Sequence, residues 1–234
     1  MDQKEIWETR TQLWSNDEVR AFFSKPKNFQ IEFSDLLKSY SLEGNKVIEV
    51  GCELGVTSFL LPNHCSKTLL DFNSKVLELS RFGFAAYQKS AEFVTADMFK
   101  IPFTDGTFDL VFNAGVIEHY TFEERLKLLQ EYSRVLKKGG KLIVAYPNHY
   151  SFPYRWGYLA LKFARIFPFP AEFKIYSLKD EALKANLKFE ERVVLSKGSY
   201  FEWLSGKPLL LKLFKLFASI FSFEGYLAVS IITK

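Results

Sequence analysis

Apolar positions along this chain recur at two spacings that take turns. Lys46-Val47-Ile48-Glu49-Val50 is a short apolar run rich in β-branched residues and reads as a buried strand. Gly51 and Gly55 bracket the following loop, and Val56 to Leu61 opens as a helix. Lys67-Thr68-Leu69-Leu70-Asp71 is a second strand ending in a carboxylate, and Asn73-Ser74 caps a helix through Val76, Leu77 and Phe84. A third strand covers Ala91 to Ala96 with Asp97 at its end, and Phe108 to Phe112 forms a fourth. In the next helix Thr121 and Glu124 make a capping box, and Phe122, Leu126, Leu129, Tyr132 and Leu136 make the apolar stripe. Lys137 and Lys138 suit its negative end, Gly139-Gly140 stops it, and Leu142 to Tyr146 is a fifth strand closed by Pro147. Strand alternating with helix predicts a parallel sheet covered on both faces, with ligands beyond the carboxyl ends of the strands.

The flanks read differently. Residues 2–40 carry helical periodicity interrupted at Lys25-Pro26-Lys27, so helices packed on the sheet are expected, with some residues able to cover a ligand from above. After Ser151 the chain turns aromatic. Tyr154 to Phe167 is helical, Ser177-Leu178-Lys179-Asp180 starts another capped helix, and Pro208 to Phe217 is a very apolar helix. Leu187 to Leu195 and Glu224 to Thr233 read as final strands.

With 234 residues the chain is long enough for one sizeable domain. A net charge of +4 is mild and gives no dense basic cluster, so no nucleic-acid partner is expected. Met1-Asp2-Gln3-Lys4-Glu5 lacks the pattern of a secretory leader, and no stretch reads as long and apolar enough to span a bilayer. The expectation is a cytoplasmic protein with Cys52 and Cys65 reduced. None of the histidines shows ligand spacing, so no metal is expected.

The candidate chemistry starts at the first loop. Strand, glycine turn and helix start bring ligand close to backbone N–H groups. Asp71 lies about 20 residues past Gly51, the separation at which an acid meets ribose hydroxyls in nucleotide-binding βαβ units. Asp97 repeats a carboxylate at the next strand tip.

Taken together, these residues resemble the class I S-adenosylmethionine-dependent methyltransferases, and the small-molecule branch that includes the ubiquinone/menaquinone C-methyltransferases in particular. Glu49, Gly51, position 53 and Gly55 match the family's acidic-x-Gly-x-Gly-x-Gly motif, with Glu53 replacing the central glycine. Asp71, Asp97, Phe108-Asp109-Leu110-Val111 with Glu118-His119, and Leu136-Lys137-Lys138-Gly139-Gly140 match the later motifs in order. The resemblance implies a doubly wound, mostly parallel seven-stranded α/β sheet with a C-terminal antiparallel strand pair and helical lid insertions. It divides a single domain into N-terminal helices at 1–44, a cofactor-binding core at 45–150, acceptor-side helices at 151–186 and 200–223, and final strands at 187–199 and 224–234.

The implied donor is S-adenosylmethionine, held by Glu49, Gly51, Cys52, Glu53, Gly55, Asp71, Phe72, Asp97, Met98, Asn113, Ala114 and Gly115. His119 is the candidate base, with Tyr146 and His149 as positioners. The expected acceptor is a small hydrophobic molecule, with the chain a monomer or homodimer. Arg155, Lys162, Arg165, Lys212 and Lys215 suggest peripheral membrane contact. The competing readings are a binding or regulatory module without turnover, which Glu53 favours, and a methyltransferase acting on protein or nucleic acid.

Overall fold

The computed structural model describes residues 3–11, 14–165, 167, 169–196, 212, 216 and 224–234. Three helices come first: α1 (Gln3–Thr11), α2 (Asn16–Ser24) and α3 (Asn28–Lys38). The core then runs β1 (Lys46–Val50), α4 (Val56–Leu60), β2 (Ser66–Asp71), α5 (Ser74–Ala86), β3 (Glu92–Thr95) and β4 (Phe108–Ala114). A 3-10 turn at Ile117–His119 leads into α6 (Phe122–Val135) and β5 (Leu136–Pro147). The last described elements are α7 (Phe152–Phe163), α8 (Lys179–Lys184), β6 (Lys188–Leu195) and β7 (Leu227–Thr233).

These strands make one seven-stranded sheet in the order β3-β2-β1-β4-β5-β7-β6. The pairings from β3 to β5 are parallel, and β7 lies antiparallel between β5 and β6. The expected fold class is the one found. Order reverses between β1 and β4, the switch point at which doubly wound sheets open a crevice.

Side-chain alternation divides the core. Leu142, Val144 and Tyr146 pack with Leu128, Tyr132 and Val135 of α6 and Ala182 beside them, while Ile143 and Ala145 pack with Phe33 and Leu37 of α3. A third cluster joins Val19 and Phe23 of α2 to Phe59, Leu69 and Phe84. Burial of such side chains contributes roughly 1.5–3 kcal/mol each.

Several local expectations are corrected. Helix α6 stops at Val135, and Leu136 is already extended and pairs with Phe108. Its buried stripe is accordingly Arg125, Leu128, Leu129, Tyr132 and Val135. Lys137 does not serve a helix terminus: its ammonium binds both oxygens of Asp109 at 2.7 and 2.8 Å, a cross-strand charge pair. The cap expected at Ser177 is absent, since Leu178 occupies the N-cap of α8 without a side-chain hydrogen bond. The N-terminal region breaks once more than its pattern suggested, because Ser15 and Glu18 form a capping box that starts α2. The apolar helix expected at 208–217 lies outside the described residues, apart from Lys212 and Leu216.

Candidate active site

Beyond the carboxyl ends of β1 and β2 lies a cleft of about 420 Å³, lined by Trp7, Gly51, Leu70, Asp71, Phe72, Ala96, Asp97, Met98, Phe99, Tyr120 and Glu124. Gly51, Asp71, Phe72, Asp97 and Met98 are thus brought together from three separate loops. Gly51 has φ +67°, and a Cβ there would come within 2.8 Å of Val116. Only glycine takes that backbone turn without strain while keeping the floor of the cleft low.

Asp71 ends β2 with its carboxylate nearly buried, and burial raises its pKa against the lowering effect of its backbone hydrogen bonds. Its Oδ1 accepts the Asn73 N–H and its Oδ2 the Glu53 N–H, each at 3.0 Å. A carboxylate has about four acceptor sites, so both oxygens keep capacity for a vicinal diol. Asp97, one strand over and exposed, has Oδ1 fixed by the Phe99 N–H at 2.9 Å.

Glu53 is not part of the lining. Its backbone is left-handed at φ 51°, as its neighbours Gly51 and Gly55 are, so the turn keeps a glycine-like course despite the side chain. Glu49 is buried below and accepts the Ser58 N–H at 3.1 Å. Burial chiefly, with the nearby Asp71 and Glu53 charges, pushes its carboxyl up to about 7. Burial and the same acidic neighbours raise the Cys52 thiol, which stays protonated. Gly55 caps α4 at φ +68°, where a Cβ would stand 2.0 Å from Leu69.

At the end of β4, Asn113, Ala114 and Gly115 lie outside the residues that line the cleft. Asn113 is fully buried, its amide donating to the Tyr132 hydroxyl at 3.1 Å, and its Oδ1 has no hydrogen-bond partner among the described residues. Ala114 and Gly115 follow at the strand tip, Gly115 donating its N–H to Ala145 O at 3.0 Å.

His119 lies one layer behind the cleft. Trp7, which lines the cleft, packs edge-on against it with ring centroids 5.7 Å apart. The His119 Nδ1 faces the Ala171 carbonyl at 3.3 Å, so the proton sits on Nδ1. Burial lowers its pKa below the usual imidazole value, partly opposed by that bond and by the Glu172 charge. Tyr146 stands apart, fully buried in the core, with its hydroxyl bonded to Ser230 and Tyr176 O. His149 is buried too, its Nε2 2.9 Å from Glu172. Sequence reasoning missed Phe99 and Tyr120 on the cleft and Glu172 behind it, while Trp7 comes from the N-terminal helices expected to offer residues that cover a ligand. Phe99 and Tyr120 flank residues that were found, whereas Glu172 carried no local signal.

An adenosine-bearing sulfonium fits these residues. Asp71 suits a ribose diol, Asp97 offers an acceptor at the next tip, and Phe72, Met98 and Phe99 provide apolar walls for a base. Of the three acids around the loop, Asp71 lines the cleft and is the one placed to complement a cation there.

Residues 48–144 match the family model of the methyltransferase domain. The chain is 35% identical over 120 residues to an uncharacterized protein of Methanocaldococcus jannaschii, covering 50% of this chain and 48% of that one. It is 32% identical over 103 residues to a probable tRNA methyltransferase of Mus musculus, covering 43% and 21%. A tRNA U34 carboxymethyltransferase of Campylobacter curvus is 28% identical over 116 residues, covering 49% and 38%. The chain therefore spans less than half the length of these relatives. Among solved structures, the PH0226 protein of Pyrococcus horikoshii superposes with a TM-score of 0.64 at 20% identity, covering 96% of this chain and 98% of that one. The tRNA-modifying relatives overturn the exclusion of nucleic acid drawn from charge alone. Residues 48–144 are thus similar to the methyltransferase domain, and they lie in a fold shared with solved methyltransferase structures.

Proposed function

We propose that this chain transfers the methyl group of S-adenosylmethionine to a flat, largely apolar acceptor brought in past Trp7. The donor half rests on one observation: Asp71 and Asp97, at successive strand tips, line one cleft whose floor is Gly51. The bound donor supplies an electrophilic methyl on sulfur. The protein aligns the reactants and excludes water.

The acceptor half rests on the aromatic rim. Trp7, Phe99 and Tyr120 line the cleft, and Phe169 packs against Trp7 with centroids 5.9 Å apart. Such a rim suits a conjugated ring. A small lipophilic ring compound is one such acceptor. A nucleobase in tRNA is the second reading, and the tRNA-modifying relatives favour it. An acceptor that sheds a proton needs a base, and His119, kept neutral by burial, takes that role once Trp7 gives way.

Calorimetry with S-adenosylhomocysteine tests the donor half, and absence of binding for both donor and product would favour an inactive module. Transfer of labelled methyl to a panel of phenols and quinols, set beside bulk tRNA, separates the acceptor readings. His119→Ala is expected to lower turnover while donor affinity holds. Unchanged turnover would remove His119 from the reaction.

A further inference from the structure

Behind Trp7 two histidine–carboxylate pairs lie side by side, and one short stretch of chain joins them. Glu118 and His119 form the first, with Glu118 Oε1 3.9 Å from His119 Nε2. Glu172 and His149 form the second, at 2.9 Å. Residues 171–173 clamp the first pair from the backbone: Ala171 O accepts the His119 Nδ1–H at 3.3 Å, and the Phe173 N–H donates to Glu118 O at 2.7 Å.

The same stretch is held from the other side by α7. The Tyr154 hydroxyl donates to Glu172 Oε2 at 2.7 Å, and the Tyr158 hydroxyl accepts the Glu172 N–H at 3.3 Å. Tyr154 and Tyr158 are four residues apart and share the inner face of that helix. Arg155 Nη1 lies 3.2 Å from His149 Nδ1, and a guanidinium can only donate, so the proton of a neutral His149 is on Nε2, which approaches Glu172 at 2.9 Å as a charge contact outside hydrogen-bond alignment. Side chains of His149 and Glu172 are 0% and 4% exposed, so this is a built interior and not a surface ion pair.

We propose that Glu172 is a positioning residue for the acceptor-side base: anchored by the Tyr154 and Tyr158 hydroxyls and lying against His149, it fixes Ala171 against His119 and thereby sets that ring's tautomer and orientation. This rests on the reading of His119 as base. Among the described residues, His119 is faced by Glu118 on its own turn, by the Ala171 carbonyl and the Glu172 charge from the connecting stretch, and by the uncharged Trp7 ring from α1. Glu172 is faced by His149, by the Tyr154 and Tyr158 hydroxyls and by the charges of Glu118 and His119, and Arg155 reaches it only through His149. Oriented this way, His119 keeps Nε2 as its unprotonated nitrogen, 3.9 Å from Glu118 Oε1.

The test is the ring-nitrogen NMR of 15N-histidine-labelled full chain with S-adenosylhomocysteine, followed against pH. The expected wild-type signal for His119 is the Nδ1–H tautomer. In Glu172→Gln the tautomers mix and the His119 titration moves to lower pH, because a carboxylate that favours imidazolium is gone. Methyl transfer, measured with whichever acceptor the panel yields, falls about tenfold or more with KM unchanged. Tyr154→Phe, which removes only the hydroxyl on Glu172, shifts the same signals less and decides the matter if Glu172→Gln fails to fold. Unaltered His119 tautomer and titration in the folded variant overturn the positioning role, even with His119 still needed for turnover. A His119→Ala chain with full turnover sinks the base reading instead.

Discussion

The Glu53 N–H and Asp71 Oδ2 are 3.0 Å apart, so the glycine loop after β1 is tied to the acid at the tip of β2 through backbone, not side chain. Asp71 therefore has two tasks, holding the loop and facing the cleft. Replacement by Asn keeps an acceptor but loses the charge. Asp71→Asn is expected to weaken S-adenosylhomocysteine binding by about 1.5–3 kcal/mol, the worth of hydrogen bonds to a charged group. Calorimetry checks this, and affinity within twofold of wild type would place the ribose elsewhere.

Because that tie is made by backbone, a glycine at position 53 preserves it. Glu53→Gly removes the strain of a side chain at φ 51° and one of the charges acting on Glu49. Stability is expected to stay within about 1 kcal/mol of wild type, strain relief offsetting the greater freedom of glycine in the unfolded chain. Urea denaturation decides. A loss of several kcal/mol would show that the carboxylate itself holds the loop.

Gly55 has no such tolerance. Its φ is +68°, and an added methyl would fall 2.0 Å from Leu69 Cδ2 in the α2–α4–α5 core. Gly55→Ala combines left-handed strain with overpacking and is expected to cost about 2–4 kcal/mol in urea unfolding. A cost below about 1 kcal/mol would mean that Leu69 moves aside freely.

Glu49 sets a pH dependence. Its carboxyl is raised from 4.5 to about 7 by burial, so the unfolded chain releases this proton more readily than the folded one. Its contribution is fully present below about pH 4.5, declines as pH rises, and is lost above about 7. Glu49→Gln, which retains an acceptor for the Ser58 N–H, is expected to flatten that decline and to raise stability at pH 8. Denaturation midpoints from pH 5 to 8 check it, and parallel curves for both chains would contradict it.

Much of this was legible beforehand. The capping box of Thr121 and Glu124 is present as read, because both partners lie within one turn. Asp71 and Asp97 reach one cleft because parallel strands that each end in an acid must present those acids at the same edge. The end of α6 was misread: Leu136 fits a helical stripe as well as a strand, and only its pairing with Phe108 chose the strand. Tyr146 was placed at the strand's mouth, yet the pleat turns its ring into the core toward Ser230.

By itself, the order of residues determined the strand–helix alternation, the glycine turn and the acids at the strand tips, since propensity, capping and turn geometry act over a few neighbours. Only the tertiary structure decided that Trp7 would lie against His119, 112 positions later, and that Glu172 would face His149. Those contacts follow from how α1 and the stretch after α7 pack back over the sheet. Packing selects such distant partners by shape and burial, and neither quantity is written in any local window of the chain.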